Sequence, residues 1–314
     1  MDLKTQLEQV KTVGIAGHVK PDGDCIGSTL AVYNYIKTYF PQIEVTLYLE
    51  PIPNIFKFLS RSEEIVHDCS KPQCHDLFLA MDCGDEGRLG DAAAYFQSAK
   101  KTFCIDHHIS NSSFADVNYI FPHASSTSEL VFELLEPEKI TKEIAECIYV
   151  GIVHDTGVFQ YSCTSAKTMN IAGQLMEKGI NFTKIVDDTF YKKTYQQNRI
   201  LGQALVKSRL QLGGKCVSSV ITAAEMKEFE VEPKHLEGIV QQLRVTKDVD
   251  ATIFLYENAD GSYTVSMRSN EKVDVAQVMM AFGGGGHVRA AGATVTGEPD
   301  DILQQVLEQV AKQL

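Results

Sequence analysis

Phe103-Cys104-Ile105-Asp106-His107-His108 sets three apolar residues directly against an acid and two adjacent imidazoles. A packed core tolerates such polar density poorly, and three apolar residues are equally out of place on a wet surface. A buried strand ending at a functional edge accommodates both halves. Three other stretches repeat the pattern. Val13-Gly14-Ile15-Ala16 leads into His18-Val19-Lys20-Pro21-Asp22-Gly23-Asp24, Leu77-Phe78-Leu79-Ala80-Met81 leads into Asp82, and the apolar run 148–153 leads into His154-Asp155. In an open α/β sheet the carboxyl ends of the strands form the ligand-binding edge. Carboxylates and imidazoles gathered there suit a pair of divalent cations, and such a pair suits hydrolysis of a phosphate ester.

The surrounding pattern supports that architecture. Residues 12–17, 44–49, 77–81 and 102–105 read as strands, and 27–39 as a helix stopped by Pro41. This is the βαβ rhythm of a parallel sheet. Ser126 and Glu129 carry the Ser-x-x-Glu signature of a helix start. Residues 139–153 read as a buried helix, followed by helices at 165–179 and 181–194. The rhythm then changes. A strand at 216–221 precedes helices near 223–229 and 233–244. A hairpin of 250–256 and 262–267 turns at Asn258-Ala259-Asp260-Gly261. A helix at 273–281 meets Gly283-Gly284-Gly285-Gly286-His287, and a strand at 291–295 and a helix at 300–313 follow. At 314 residues, two domains are the default. The expected fold is α/β: a mostly parallel-sheet domain over 1–188, a linker over 189–208 and a smaller α/β domain over 209–314.

Composition narrows the function. Hydrophobic residues at 44% and charged residues at 22% are those of a globular protein, which excludes a disordered chain. A net charge of −12 with no basic stripe argues against long duplex nucleic acid as a partner. It permits a short nucleotide held by metals and a few cationic side chains. Eight scattered cysteines without a Cys-x-x-Cys pair read as reduced thiols, with Cys25, Cys83 and Cys104 as small apolar filler. Residues 1–12 read as a polar helix start without the apolar run of a secretory signal. No stretch approaches the roughly 18 apolar residues of a membrane span. A cytoplasmic protein with no membrane partner is expected.

Taken singly, several of these acids have bland readings. Asp22-Gly23-Asp24 is a common solvated turn, and Asp82 resembles an N-cap. Taken together, His18, Asp22, Asp24, Asp82, Asp106 or His107, His108 and Asp155 are seven candidate ligands within one α/β domain. Pro21 and Gly23 allow a sharp turn in which Asp22 and Asp24 face different ions. The mixed carboxylate–imidazole set points to manganese, with iron, cobalt or zinc also compatible.

These motifs, in this order, resemble the DHH phosphoesterase superfamily, named for the Asp-His-His at 106–108. Arg268 and the run 283–287, followed by Ala290-Ala291-Gly292-Ala293, are similar to the glycine-rich signature of the DHH-associated domain. The resemblance covers nearly the whole chain. Its compact layout is similar to that of the bacterial nanoRNase and 3′-phosphoadenosine-5′-phosphate phosphatase group. The resemblance implies an active site in the interdomain cleft and two divalent cations, manganese foremost. It assigns His18 and Asp22 to one ion, Asp24, His107 and Asp155 to the other, and Asp82 to a bridge between them. His108 would face the substrate phosphate, with Asp106 orienting His107 or its neighbour. Arg268, His287 and the backbone of Gly284, Gly285 and Gly286 would contact substrate.

The implied substrates are short oligoribonucleotides, dinucleotides or a mononucleotide bisphosphate, and the implied assembly is a homodimer. One alternative within the group is a linear dinucleotide phosphodiesterase acting in cyclic-di-nucleotide turnover. An inorganic pyrophosphatase or polyphosphatase is disfavoured, because Ser266-Met267-Arg268-Ser269 stands in place of a Ser-Arg-Lys type motif. A single-strand exonuclease would need further strand-binding domains. A non-catalytic nucleotide sensor is disfavoured by the complete ligand set. His154, His123, Arg88 and Arg289 receive no site role, and His67, His75 and His235 are expected at the surface.

Overall fold

The computed structural model describes residues 3–71 and 73–314. The chain forms two compact units, divided in sequence between Lys192 and Lys193. The first contains α1 (Leu3–Gln6), β1 (Thr12–Ala16), α2 (Gly23–Tyr39), β2 (Glu44–Tyr48), β3 (Leu77–Met81) and α3 (Ala93–Ser98). It continues with β4 (Thr102–Asp106), β5 (Val117–Ile120), α4 (Thr127–Leu134), α5 (Lys142–Asp155), α6 (Ala166–Glu177) and α7 (Phe182–Val186).

The five strands make one wholly parallel sheet in the order β2-β1-β3-β4-β5. Side chains alternate across a strand, so each central strand serves two cores. Val13, Ile15, Leu77, Leu79, Met81 and Ile105 pack with α2, α4 and α5, while Ala16, Phe78 and Ala80 pack with Leu89, Tyr95 and Phe96. Burial on both faces is why these strands read as unbroken apolar runs. Because β1, β3 and β4 are neighbours pointing the same way, His18, Asp82 and Asp106-His107-His108 come out side by side at one edge.

The second unit contains α8 (Tyr195–Lys207), β6 (Arg209–Gln211), β7 (Cys216–Ile221), α9 (Ala223–Glu228), α10 (Ile239–Arg244) and β8 (Ala251–Glu257). β9 (Tyr263–Ser269), α11 (Val275–Met280), β10 (Gly285–His287), β11 (Ala290–Val295) and α12 (Pro299–Ala311) complete it. Its six strands run in the order β10-β11-β9-β8-β7-β6, parallel at β7–β8 and antiparallel elsewhere. One face buries Ala251, Ile253, Leu255, Val265 and Met267 with α11 and α12. The other buries Val217, Ile221 and Phe254 with α8, α9 and α10.

Several elements differ from the sequence reading. Residues 195–207, expected as linker, form α8, whose Ile200 and Ala204 are buried in the second unit. The helix expected over 181–194 stops at Val186 and continues as a π-helical turn, Asp187–Tyr191. β5 was not foreseen. His75, expected at the surface, is buried among Tyr48, Phe78 and Tyr95, with its Nε2 3.1 Å from the Tyr48 hydroxyl. Among the described residues no helix is long and apolar enough to cross a membrane.

Candidate metal centre

His18 leaves β1 with its Nδ1–H donating to the Val19 carbonyl at 2.9 Å, which turns Nε2 toward the acidic side chains. That Nε2 lies 3.6 Å from Asp22 Oδ1 and 3.6 Å from Asp82 Oδ2. Asp22 is the N-cap of α2, accepting the N–H groups of Asp24 and Cys25 at 3.1 Å each. Asp24, two residues on, is buried. Its two oxygens accept the backbone N–H groups of Thr127 at 2.6 Å and Ser128 at 2.9 Å, the first residues of α4. The positive end of that helix offsets part of the cost of burying a carboxylate.

Asp82 follows β3 in the left-handed backbone region, with φ of 55°. It is the hub of the site: 3.6 Å from His18, 3.7 Å from His107 Nε2 and 3.8 Å from His108 Nδ1. His107 donates Nδ1–H to the Ala124 carbonyl at 3.3 Å and turns Nε2 to within 3.1 Å of Asp155 Oδ2, on the last residue of α5. His108 donates Nδ1–H to Asp106 Oδ1 at 2.7 Å, and Asn111 donates to the other Asp106 oxygen at 2.6 Å. Of the two orientations open to Asp106 in the sequence, the structure therefore has it holding His108.

Among the described residues the donor atoms gather in three sets: His18-Cys25-Asp82, Asp82-His107-His108 and Asp24-His107-Asp155. Burial, then the charges of Asp82 and Asp22, push the Cys25 thiol well above its ordinary range. It stays protonated and acts as filler. The carboxylates crowd one another. Burial and the charges of Asp82 and Asp155 push Asp24 well above the usual carboxylate range, and burial with Asp82 and Asp22 pushes Asp155 up to about 8. Burial works to lower His18, but its hydrogen bonds to Asp22 and Asp82 prevail and carry it up to about 10. For Asp22 burial works upward, yet His18 draws it down to about 2. Buried carboxylates repelling one another around two imidazoles whose Nε2 atoms face them are short of positive charge, and divalent cations with N and O ligands meet that need.

In the second unit, Arg268 lies on β9 and donates Nη1–H to the Met267 carbonyl at 2.8 Å. A side chain on Gly284 would meet the Gly292 carbonyl at 2.2 Å, and one on Gly286 would meet the Ala290 carbonyl at 2.4 Å. Glycine is needed at both for β10 to lie against β11, whereas Gly285 faces open space and His287 is exposed. His154 is neutral, drawn down to about 4 by burial, and sits between Phe56 and Phe190 with Nε2 bonded to Thr189 Oγ1 at 2.9 Å. His123 and Arg88 are exposed. Arg289 is tied to Ser269 and Val273.

Sequence reasoning missed Asn111 and the part played by the first turn of α4. Ser126 accepts the Glu129 N–H as expected, but the Glu129 carboxylate does not return to Ser126. It accepts the hydroxyls of Ser125 and Thr168, both at 2.6 Å. Serine-rich caps are common, so nothing in the motif distinguished a metal-site scaffold from an ordinary helix start.

A parallel sheet that presents crowded carboxylates and imidazoles at its strand ends has the donor set of a metal-dependent phosphoesterase. The chain belongs to the DHH family: the DHH family N-terminal domain matches residues 12–152, and a DHHA1 domain matches 213–314. The chain is 28% identical to the bifunctional oligoribonuclease and PAP phosphatase NrnA of Thermus thermophilus, over 96% of this chain and 89% of that protein. It is 29% identical to a probable bifunctional oligoribonuclease and PAP phosphatase NrnA of Streptococcus mutans, over 96% and 97%. The crystal structure of an exopolyphosphatase-related protein from Bacteroides fragilis superposes with a TM-score of 0.89 at 26% identity, covering 98% of this chain and 94% of that one. The protein is a phosphoesterase of the DHH/DHHA1 architecture.

Proposed function

We propose that this enzyme hydrolyses short oligoribonucleotides and 3′-phosphoadenosine-5′-phosphate, using two divalent cations for which manganese is the best match. The observation that carries the two-ion reading is Asp82, whose Oδ2 faces His18 at 3.6 Å and whose Oδ1 faces His107 at 3.7 Å. One carboxylate thus addresses two ligand sets: His18 with Asp22, and His107 with Asp24 and Asp155. When bound, such ions supply Lewis-acid stabilisation of charge on the phosphoryl oxygens. The substrate class is supported by near-full-length similarity to relatives named for those two activities.

The remaining roles follow from the side chains. His108, with Nδ1–H committed to Asp106, has Nε2 available to meet the phosphate and to pass a proton to the leaving oxygen. Arg268 and His287 of the DHHA1 domain are assigned to substrate, the guanidinium pairing with a phosphate in fork geometry. The net charge of −12 fits substrates too short to need an extended basic track. Asp82→Ala tests the reading. Metal analysis should show loss of bound ions, and turnover should fall by more than the ~100-fold typical of losing an outer-shell partner alone. Near-normal turnover would sink the two-ion mechanism.

A further inference from the structure

Thr127 is fully buried at the first turn of α4 and touches two of the proposed ligands at once. Its backbone N–H lies 2.6 Å from Asp24 Oδ2, and its hydroxyl donates to Asp82 Oδ1 at 2.9 Å. These carboxylates come from different elements, the start of α2 and the residue after β3. Thr127 is itself firmly placed. Ser126 caps the helix through the Glu129 N–H at 3.0 Å, and Glu129 is held by Ser125 and Thr168 at 2.6 Å each. The adjoining Ala124 carbonyl sets the tautomer of His107.

Asp82 needs a hold of this kind. Its φ of 55° is a conformation that L-residues adopt at a cost and keep only where neighbours enforce it. Its N–H is anchored on the Ile105 carbonyl at 3.0 Å, but that bond leaves the carboxylate free to turn. Three imidazoles stand within 3.8 Å of the carboxylate, offering competing orientations. With the Thr127 hydroxyl bonded to Oδ1, Oδ2 faces His18 and Oδ1 faces His107. We propose that Thr127 is the positioning residue for the bridging carboxylate, its hydroxyl fixing the rotation of Asp82 so that one oxygen serves each ion. This rests on the two-ion reading above.

The test compares Thr127→Val, which keeps the branched shape and the backbone N–H but removes the hydroxyl donor, with Thr127→Ser, which keeps the donor. Metal-free protein would be titrated with Mn2+ by calorimetry, and kcat and KM measured on a 5′-phosphorylated RNA dinucleotide. Thr127→Val should lose about 10–100-fold in Mn2+ affinity or kcat, with KM near wild type, and Thr127→Ser should behave as wild type. Thr127→Ala is the second hydroxyl-free variant where valine disturbs folding. A valine variant matching wild type in both readouts overturns the proposal, as does an equal loss in the valine and serine variants. Wild-type protein that binds a single Mn2+ overturns the two-ion reading itself, and the bridging role with it, before any variant is compared.

Discussion

Gly151 lies on α5 where that helix passes the first turn of α4. A Cβ there would stand 1.9 Å from Ser128 Oγ and 2.6 Å from Asp24 Oδ1. Ordinary contact begins at 3.4 Å, so the Asp24 carboxylate would have to retreat by 0.8 Å or the helices part. The carboxylate cannot retreat freely, because both of its oxygens are bound to α4 amides. Two effects oppose each other in Gly151→Ala. Helix propensity favours alanine by about 1 kcal/mol, whereas forced overpacking costs about 1–3 kcal/mol. The clash should prevail modestly in stability. It should prevail strongly in function, since a displacement near 1 Å at a working group costs about 100-fold. The assay is Mn2+ titration, kcat and Tm on the variant, with Gly173→Ala as control. Gly173 is an exposed α6 position where an added Cβ meets nothing within 4 Å. The control should gain up to about 1 kcal/mol and keep full activity. Gly151→Ala with wild-type metal affinity and turnover would refute the claim that Asp24 is held in place by close packing of α4 and α5.

Asp106→Asn should lower kcat about 10–100-fold while leaving metal stoichiometry unchanged, because it weakens the bond that orients His108 without touching a ligand; unchanged kcat would count against His108. Arg268→Ala should raise KM about 10–100-fold with a smaller change in kcat, the worth of one charge-assisted hydrogen bond, as steady-state kinetics would read. At Glu225, burial works upward but the bonds from Lys207 and Gln203 and the Thr222 N–H prevail, drawing it from 4.5 to about 2. A lowered folded-state pKa gives stability that is full above about pH 4.5 and lost as pH falls towards 2. Denaturation curves for Glu225→Gln should therefore show a flatter pH dependence across that window and lower stability above it; an unchanged profile would remove Glu225 as a tie between α8 and α9.

The parts of the fold legible in the sequence are those where burial dictates residue type. β3 and β7 could be read residue for residue: β3 is apolar throughout, and β7 begins and ends on buried apolar residues on either side of Ser218 and Ser219. The acids marking the site edge were legible only together, since each alone could cap a helix or sit in a solvated turn, whereas four such ends in one α/β domain could not all be bland. The parts that escaped are governed by partners distant in sequence. β5 is a short edge strand with every residue half-buried, so it carries no apolar run. α8 buries only Ile200 and Ala204 and leaves Leu205 and Val206 exposed, so its apolar residues draw no clean stripe, although Thr194 and Gln197 form a capping box that signals its start. His75 lies in a polar-looking stretch, and only the tertiary cluster of Tyr48, Phe78 and Tyr95 buries it. The first turn of α4 meets Asp24, 103 residues earlier, and Asp82, 45 residues earlier, and no local pattern encodes such partners.

A short-substrate phosphoesterase working through divalent cations should discriminate by substrate length. The most direct test is hydrolysis by purified, Mn2+-loaded protein of four compounds side by side: a 5′-phosphorylated RNA dinucleotide, a longer RNA, 3′-phosphoadenosine-5′-phosphate and pyrophosphate. The dinucleotide and the bisphosphorylated nucleotide should be cleaved, with the longer RNA and pyrophosphate spared. Cleavage of pyrophosphate alone, or of nothing while metal is bound, would contradict that function.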